Sequence, residues 1–143
     1  MHNIEEVISD FRKKGFKITP QRRMIFEIIL NNDTHPNVND IYQQIKTNMP
    51  DISKTTVYNT LRELHQLGVI VIVHNAGEDM SRYDPKTENH HHLYCLACHR
   101  IIDIDMDIKN MELSEQASLG FKIIKKQITF YGYCPECQQK NVP

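Results

Sequence analysis

Ser53-Lys54-Thr55-Thr56-Val57-Tyr58-Asn59-Thr60-Leu61-Arg62-Glu63-Leu64-His65-Gln66-Leu67-Gly68 runs directly into Val69-Ile70-Val71-Ile72-Val73. Ser53 is a good N-cap and Gly68 a good stop, so the first stretch reads as a helix. At about 100° per residue, Thr55, Tyr58, Asn59 and Arg62 share one side and Val57, Leu61 and Leu64 the other. One face is apolar; the other carries a tyrosine and an arginine. The β-branched run reads as a strand, Asn75-Ala76-Gly77-Glu78 as a turn and Ser81-Arg82-Tyr83-Asp84 as the returning strand of a hairpin.

Working upstream, Ile4, Val7, Ile8 and Phe11 have helical spacing, and Gly15 follows as a stop. Thr19-Pro20 caps and opens a second helix that buries Met24, Ile25, Ile28 and Ile29 and ends near Asn31. His35-Pro36-Asn37 forms a turn, with Asn37 capping a third helix that carries Val38, Ile41, Tyr42 and Ile45. Three helices, a capped fourth and a hairpin are the element order of a winged helix-turn-helix, placed at residues 1–84. Arg12, Lys13, Lys14, Lys17, Arg22 and Arg23 cluster where no Asp or Glu intervenes. On a chain with a formal net charge of −1, only such local clustering offers a phosphate-binding surface. The polar face of the fourth helix makes it the groove reader.

Downstream, Pro85-Lys86-Thr87-Glu88-Asn89 is a polar connection, and residues 85–143 form a second, small domain. His90 to Ile104 reads as two short strands around Cys95-Leu96-Ala97-Cys98. Residues 109–119 are expected to be a helix stopped by Gly120, and Phe121 to Tyr133 a strand leading to Cys134-Pro135-Glu136-Cys137. At 143 residues, 40% hydrophobic and 24% charged, the composition is that of a soluble globular chain. The N-terminus lacks a basic segment followed by an apolar one, and no apolar run reaches the roughly 18 residues of a membrane span. A soluble, cytoplasmic protein with no membrane partner is expected. In that compartment its four cysteines are reduced rather than paired as disulfides.

All four cysteines fall in C-x-x-C pairs, Cys95/Cys98 and Cys134/Cys137. Each two-residue gap lets a tight turn aim two thiolates at one ion, and two turns complete a tetrahedral shell for structural Zn2+. A redox pair would need a strand–C-x-x-C–helix setting, which neither pair shows in the sequence. A closed thiolate shell leaves no open position, so this ion holds the fold and does no chemistry. A second constellation is thiol-free. In an extended strand His90 and His92 share a face and His91 takes the other. Asp84 ends the hairpin, Asp103 lies on the strand after the first zinc turn, and His35 precedes a helix of the first domain. Three imidazoles and two carboxylates suit Fe2+ or Mn2+ better than a thiolate-loving ion. The bland reading is a solvated histidine loop beside the wet side of an amphipathic strand. His2, His65, His74 and His99 are read as surface or packing residues and Lys126 as solvated. A metal-dependent hydrolase is the rival class, but the chain has no H-E-x-x-H, no dedicated general base and little room for a cleft; no catalytic residue is assigned.

The ordered set Thr19-Pro20-Gln21-Arg22, His35-Pro36, Ser53-x-x-Thr56-Val57-Tyr58-Asn59-x-Leu61, Arg82-Tyr83-Asp84, His90-x-His92, Cys95-x-x-Cys98 and Tyr131-Gly132-Tyr133-Cys134-x-x-Cys137 resembles the ferric-uptake-regulator family, and most its peroxide-sensing branch. The resemblance covers nearly the whole chain. It implies an α+β protein: an N-terminal winged helix-turn-helix and a small C-terminal α/β dimerisation domain with structural zinc. It further implies a homodimer that represses transcription by binding double-stranded, palindromic operator DNA. Lys13, Lys14, Arg22, Thr55, Tyr58, Asn59 and Arg62 are then the DNA-contacting candidates, with Tyr58 and Asn59 on bases and Arg62 on phosphate. His35, Asp84, His90, His92 and Asp103 are the implied ligands of the regulatory ion. Aspartate at 84 and 103 favours peroxide sensing, with Fe2+ promoting oxidation of His35 or His90 and Mn2+ giving a peroxide-insensitive repressor. Peroxide is the only small molecule implied, as signal. The alternative within the family is an iron- or manganese-uptake regulator. His99 stands where the family usually has glycine, and Lys126 where many members have histidine, which argues against a third metal site.

Overall fold

A computed structural model describes residues 2–74 and 80–140. The expected turn at residues 75–78 lies outside the described residues. The chain divides into two compact units, Met1–Thr87 and Glu88–Pro143.

The first unit comprises α1 (Ile4–Lys13), α2 (Pro20–Leu30), α3 (Val38–Lys46), α4 (Lys54–Gln66), β1 (Val71–Val73) and β2 (Arg82–Asp84). Each helix begins at a side chain that accepts a backbone N–H from the first turn: Asn3, Thr19, Asn37 and Ser53. Asn37 and Asp40 form a reciprocal capping box. These caps satisfy amides that would otherwise lack partners, which is why the boundaries are sharp. Val7, Ile8 and Phe11 of α1, Ile25 and Ile29 of α2, Ile41 and Ile45 of α3, and Val57, Leu61 and Leu64 of α4 meet in one core. Phe26 and Leu30 take core positions that the helical spacing assigned to Met24 and Ile28, which are only half-buried. Phe26 meets Phe11 edge-on, with ring centroids 4.8 Å apart. β1 and β2 pair antiparallel, with Ile72 opposite Tyr83.

The second unit comprises β3 (His91–Cys95), β4 (Ile101–Ile104), α5 (Glu115–Ser118), β5 (Thr129–Gly132) and α6 (Pro135–Gln139). Its sheet has the order β4-β3-β5, antiparallel between β4 and β3 and parallel between β3 and β5. Two expectations are corrected here. The helix over 109–119 shrinks to the single turn of α5, because Met111 and Leu113 are each 56% exposed and bury nothing that would offset helix nucleation. It ends at Leu119 and Gly120, both at positive φ. The strand over 121–133 shortens to four residues, the stretch lying along β3. Phe121, Ile123 and Ile124 alternate poorly, stand exposed, and have no ladder partner among the described residues. Among the described residues no helix is long and apolar enough to cross a membrane.

Leu61, fully buried where α4 meets the core, sets a stability test. Leu61→Ala is expected to destabilise the first unit by about 2–5 kcal/mol through lost burial and the cavity left behind. A urea titration monitored by circular dichroism measures it, and a loss well under 1 kcal/mol would contradict this core assignment.

Candidate metal centres and the exposed face of helix α4

Cys95 ends β3, and Cys134 caps α6, which contains Cys137. Parallel pairing sets Cys95 opposite Gly132, so the two turns emerge at the same end of neighbouring strands. The four cysteines are unbonded to one another, and each places its Sγ within 4.8 Å of the others. Cys98 Sγ and Cys134 Sγ are 3.8 Å apart. A tetrahedron with Zn–S bonds of about 2.3 Å has edges of about 3.8 Å, so the donor set and its spacing fit Zn2+. The Cys134 N–H donates to Cys95 Sγ at 3.3 Å. Backbone N–H groups of Cys98 and Cys134 hold the Cys95 thiol down at about 6, so it is the readiest thiolate of the four. Cys137 is pushed up to about 12, first by its contact with the Cys134 sulfur and then by burial. The second pair does sit between a strand and a short helix, contrary to the sequence reading; convergence of all four sulfurs, rather than that context, separates it from a redox pair.

Two charged residues that motif spacing did not single out bracket this centre. Arg100 pairs with Glu136 at 3.2 Å, tying the segment after Cys98 to the segment before Cys137. His99 occupies a left-handed position (φ 62°), which accounts for the usual glycine there, and its Nδ1 shares a 2.6 Å hydrogen bond with the Tyr94 hydroxyl.

The imidazole–carboxylate residues form a group within each unit. In the first, Asn37 bridges Arg82 antiparallel and the Tyr83 N–H donates to the Pro36 carbonyl at 3.0 Å. Continuing that register sets His35 beside Asp84. His35 Nε2 lies 3.1 Å from Asp84 Oδ2, both side chains essentially buried. The other carboxylate oxygen accepts the Lys86 N–H at 2.8 Å. His35 itself is left-handed (φ 55°), a conformation that costs a non-glycine residue roughly 1–2 kcal/mol. Strain of this kind collects at functional positions.

In the second unit, β3–β4 pairing puts His92 opposite Asp103. Asp103 Oδ1 is 3.2 Å from His92 Nε2 and 3.3 Å from His90 Nε2. His90 Nδ1 donates to the Glu88 carbonyl at 2.7 Å. In a neutral imidazole with that proton on Nδ1, His90 Nε2 offers a lone pair to a cation beside the carboxylate oxygen. Two electron-rich atoms held face to face fit a cation between them. Donating the remote N–H to a carbonyl is also how metal-bound histidines are ordinarily oriented. His91 points elsewhere: its Nδ1 accepts the Ile128 N–H at 3.0 Å.

On α4, Thr55 and Arg62 are exposed, Tyr58 is 50% exposed and Asn59 is half-buried, while Val57, Leu61 and Leu64 are fully buried. Lys13 and Lys14 are exposed. Arg22 is placed differently from the expected phosphate contact. Its guanidinium meets Glu63 of α4 at 2.8 Å, donates to the Lys17 carbonyl and lies over the Phe16 ring. It joins α2 to α4 instead of projecting a spare charge. Lys126 is likewise not merely solvated, since its Nζ contacts the Ile108 and Met111 carbonyls and Glu112.

A winged-helix unit with a second unit closed by a thiolate shell and carrying an imidazole–carboxylate cluster defines a metal-responsive DNA-binding regulator. The sequence pattern of the ferric uptake regulator family matches residues 13–131, and the chain belongs to that family. It is 35% identical over 140 residues to the peroxide-responsive repressor PerR of Staphylococcus aureus, covering 97% of this chain and 94% of that one. Among solved structures it resembles the Helicobacter pylori ferric uptake regulator Fur, with a TM-score of 0.79 and 25% identity over 96% of this chain and 95% of that one. The Campylobacter jejuni peroxide stress regulator gives a TM-score of 0.64 and 28% identity over 96% of this chain and all of that one.

If the thiolate shell holds the second unit together, stripping zinc under reducing conditions removes hydrogen-exchange protection from β3, β4 and β5 and spares α1–α4. Unchanged protection in the β3–β5 sheet after complete zinc loss would refute that role.

Proposed function

We propose that this protein is a peroxide-responsive transcriptional repressor that binds operator DNA as a homodimer when a regulatory Fe2+ or Mn2+ is bound. The observation carrying this reading is the His90–Asp103 pair, 3.3 Å apart, with His90 Nδ1 turned to the Glu88 carbonyl so that Nε2 is the ring atom facing the carboxylate. His90, His92 and Asp103 supply three N/O donors, and His35 and Asp84 supply two more. Neither set alone fills the shell of an ion that prefers more donors than either offers, and their hard, thiol-free character suits Fe2+ or Mn2+. An ion drawing ligands from both sets would bias the protein toward one arrangement of its units, the two-state element a switch requires.

DNA contact is assigned to Tyr58 and Asn59 on bases, and to Thr55, Arg62, Lys13 and Lys14 around them. Arg22 is proposed to reach phosphate from a position braced against Glu63 of α4. Dimerisation is assigned to the second unit. Ile102, Leu93 and Phe130 lie in register across β4, β3 and β5, each a little over 40% exposed, an apolar row suited to burial against a second copy. Fe2+ held by these residues would supply one-electron reduction of hydrogen peroxide, and His35 and His90 are the ligand imidazoles proposed to be oxidised. Similarity to a peroxide-responsive repressor over 97% of the chain supports this reading over a simple uptake regulator.

Mass spectrometry after mild peroxide treatment of Fe2+-loaded protein tests the sensing step. One added oxygen on the peptide holding His35 or His90, with lost duplex binding, is the expected result, and Mn2+-loaded protein stays unmodified. Unmodified histidines with intact DNA binding in the Fe2+ form would point to an uptake regulator instead. On duplexes selected in vitro, Tyr58→Ala and Arg62→Ala should each weaken binding by about 1–3 kcal/mol without changing metal content. A fall in metal content would show that the two tasks are not divided between the units as assigned.

A further inference from the structure

We infer that Gln127 is a positioning residue for the His90–His92–Asp103 centre, acting through the imidazole of His92; this rests on the metal reading above. Gln127 Nε2 lies 3.3 Å from His92 Nδ1, while His92 Nε2 is the atom 3.2 Å from Asp103. A neutral ring has one proton, so the partner of one nitrogen decides what the other offers. When the Gln127 amide donates to Nδ1, the ring proton sits on Nε2 and points at Asp103. When the carboxamide turns over, its oxygen accepts from Nδ1–H and Nε2 presents a lone pair to a cation. A carboxamide therefore supports either form of His92. The Glu88 carbonyl, which can only accept, fixes His90 in the ligand form. The two histidines are prepared differently: His90 is set for the ion in advance, and His92 changes tautomer as the ion arrives.

An exposed glutamine ordinarily samples many rotamers, and the backbone here restricts where this one starts. On one side of it, the Ile128 carbonyl accepts the His92 N–H and the Ile128 N–H donates to His91 Nδ1, each at 3.0 Å. On the other, Lys126 Nζ grips the Ile108 and Met111 carbonyls and Glu112 Oε1 at 3.0–3.3 Å. Gln127 thus sits between two anchors, directly alongside the ligand strand. Motif spacing gives no hint of it, because it is neither a ligand type nor part of a repeated pattern.

The test compares full-length, zinc-loaded wild type with Gln127→Leu and Gln127→Glu. Mn2+ affinity is read by competition with a fluorescent chelator, and the His92 tautomer by imidazole 15N signals in Mn2+-free protein. Wild type should show His92 protonated mainly on Nε2. Gln127→Leu leaves Asp103 to accept the Nε2 proton but gives Nδ1–H no acceptor once Nε2 turns to the ion, so it should bind Mn2+ about 10–100-fold more weakly, the usual range for losing an outer-sphere partner. Gln127→Glu can only accept, so it should place a proton on Nδ1 in the Mn2+-free protein and bind Mn2+ more tightly than Gln127→Leu. Equal Mn2+ affinity in wild type and Gln127→Leu would overturn the inference. So would equal weakening by Leu and Glu, the mark of a purely structural role. Failure of the wild type itself to bind Mn2+ would instead refute the metal reading, and the 15N signals would still decide whether Gln127 sets the His92 tautomer.

Discussion

Parallel pairing of β3 with β5 is the constraint on which the second unit depends, and four thiolates fix it. Parallel neighbours cannot be joined by a tight hairpin, and here more than thirty residues separate them in sequence. Cys95 at the end of β3 and Cys134 just after β5 bring those ends together, with Arg100 and Glu136 adding an ion pair across the same gap. So small a unit, with many apolar side chains exposed, has little core to set this register by itself. Once the register is fixed at the thiolate end, the other end of the same strands is fixed too. There His92 faces Asp103 on one neighbour and meets Gln127 and Ile128 on the approach to the other.

The two candidate metal centres thus have opposite designs. The thiolate shell is closed and built from turns. The imidazole–carboxylate residues are held by strand register in each unit: Asn37 against Arg82 brings His35 to Asp84, and β3 against β4 brings His92 to Asp103. His35 is additionally held in a left-handed conformation, so part of the folding energy of the first unit is spent on presenting it. With a backbone carbonyl orienting His90, this candidate site is preorganised.

Most of the first unit was legible in the sequence because its signals are local. Asn37 and Ser53 cap the helices they were expected to cap, and the apolar face of α4 is the face that is buried. Phe26 and Leu30 were missed because a helix packed on two sides buries a wider arc than one stripe predicts. The convergence of the four cysteines was legible from spacing alone. The helix expected over 109–119 and the long strand over 121–133 were not realised, since Met111, Leu113, Phe121, Ile123 and Ile124 stay exposed and bury nothing that would order a longer element. The contacts of Arg22 and Lys126 were not legible for a related reason. A side chain's charge is visible in a sequence, but the Glu63 or Glu112 that engages it is set by tertiary structure. The roles of Glu88 and Gln127 were invisible because one acts through its backbone and the other through a carboxamide.

One ion is proposed to hold the fold and a separate, exchangeable ion to control DNA binding. Native mass spectrometry of Mn2+-loaded protein, before and after a mild chelator and paired with a duplex-binding titration, distinguishes the two. The expected result is one retained Zn2+ per chain, loss of the Mn2+ with loss of DNA binding, and recovery on adding Mn2+ alone. Departure of both ions together, or undiminished DNA binding by the form retaining only zinc, would contradict it.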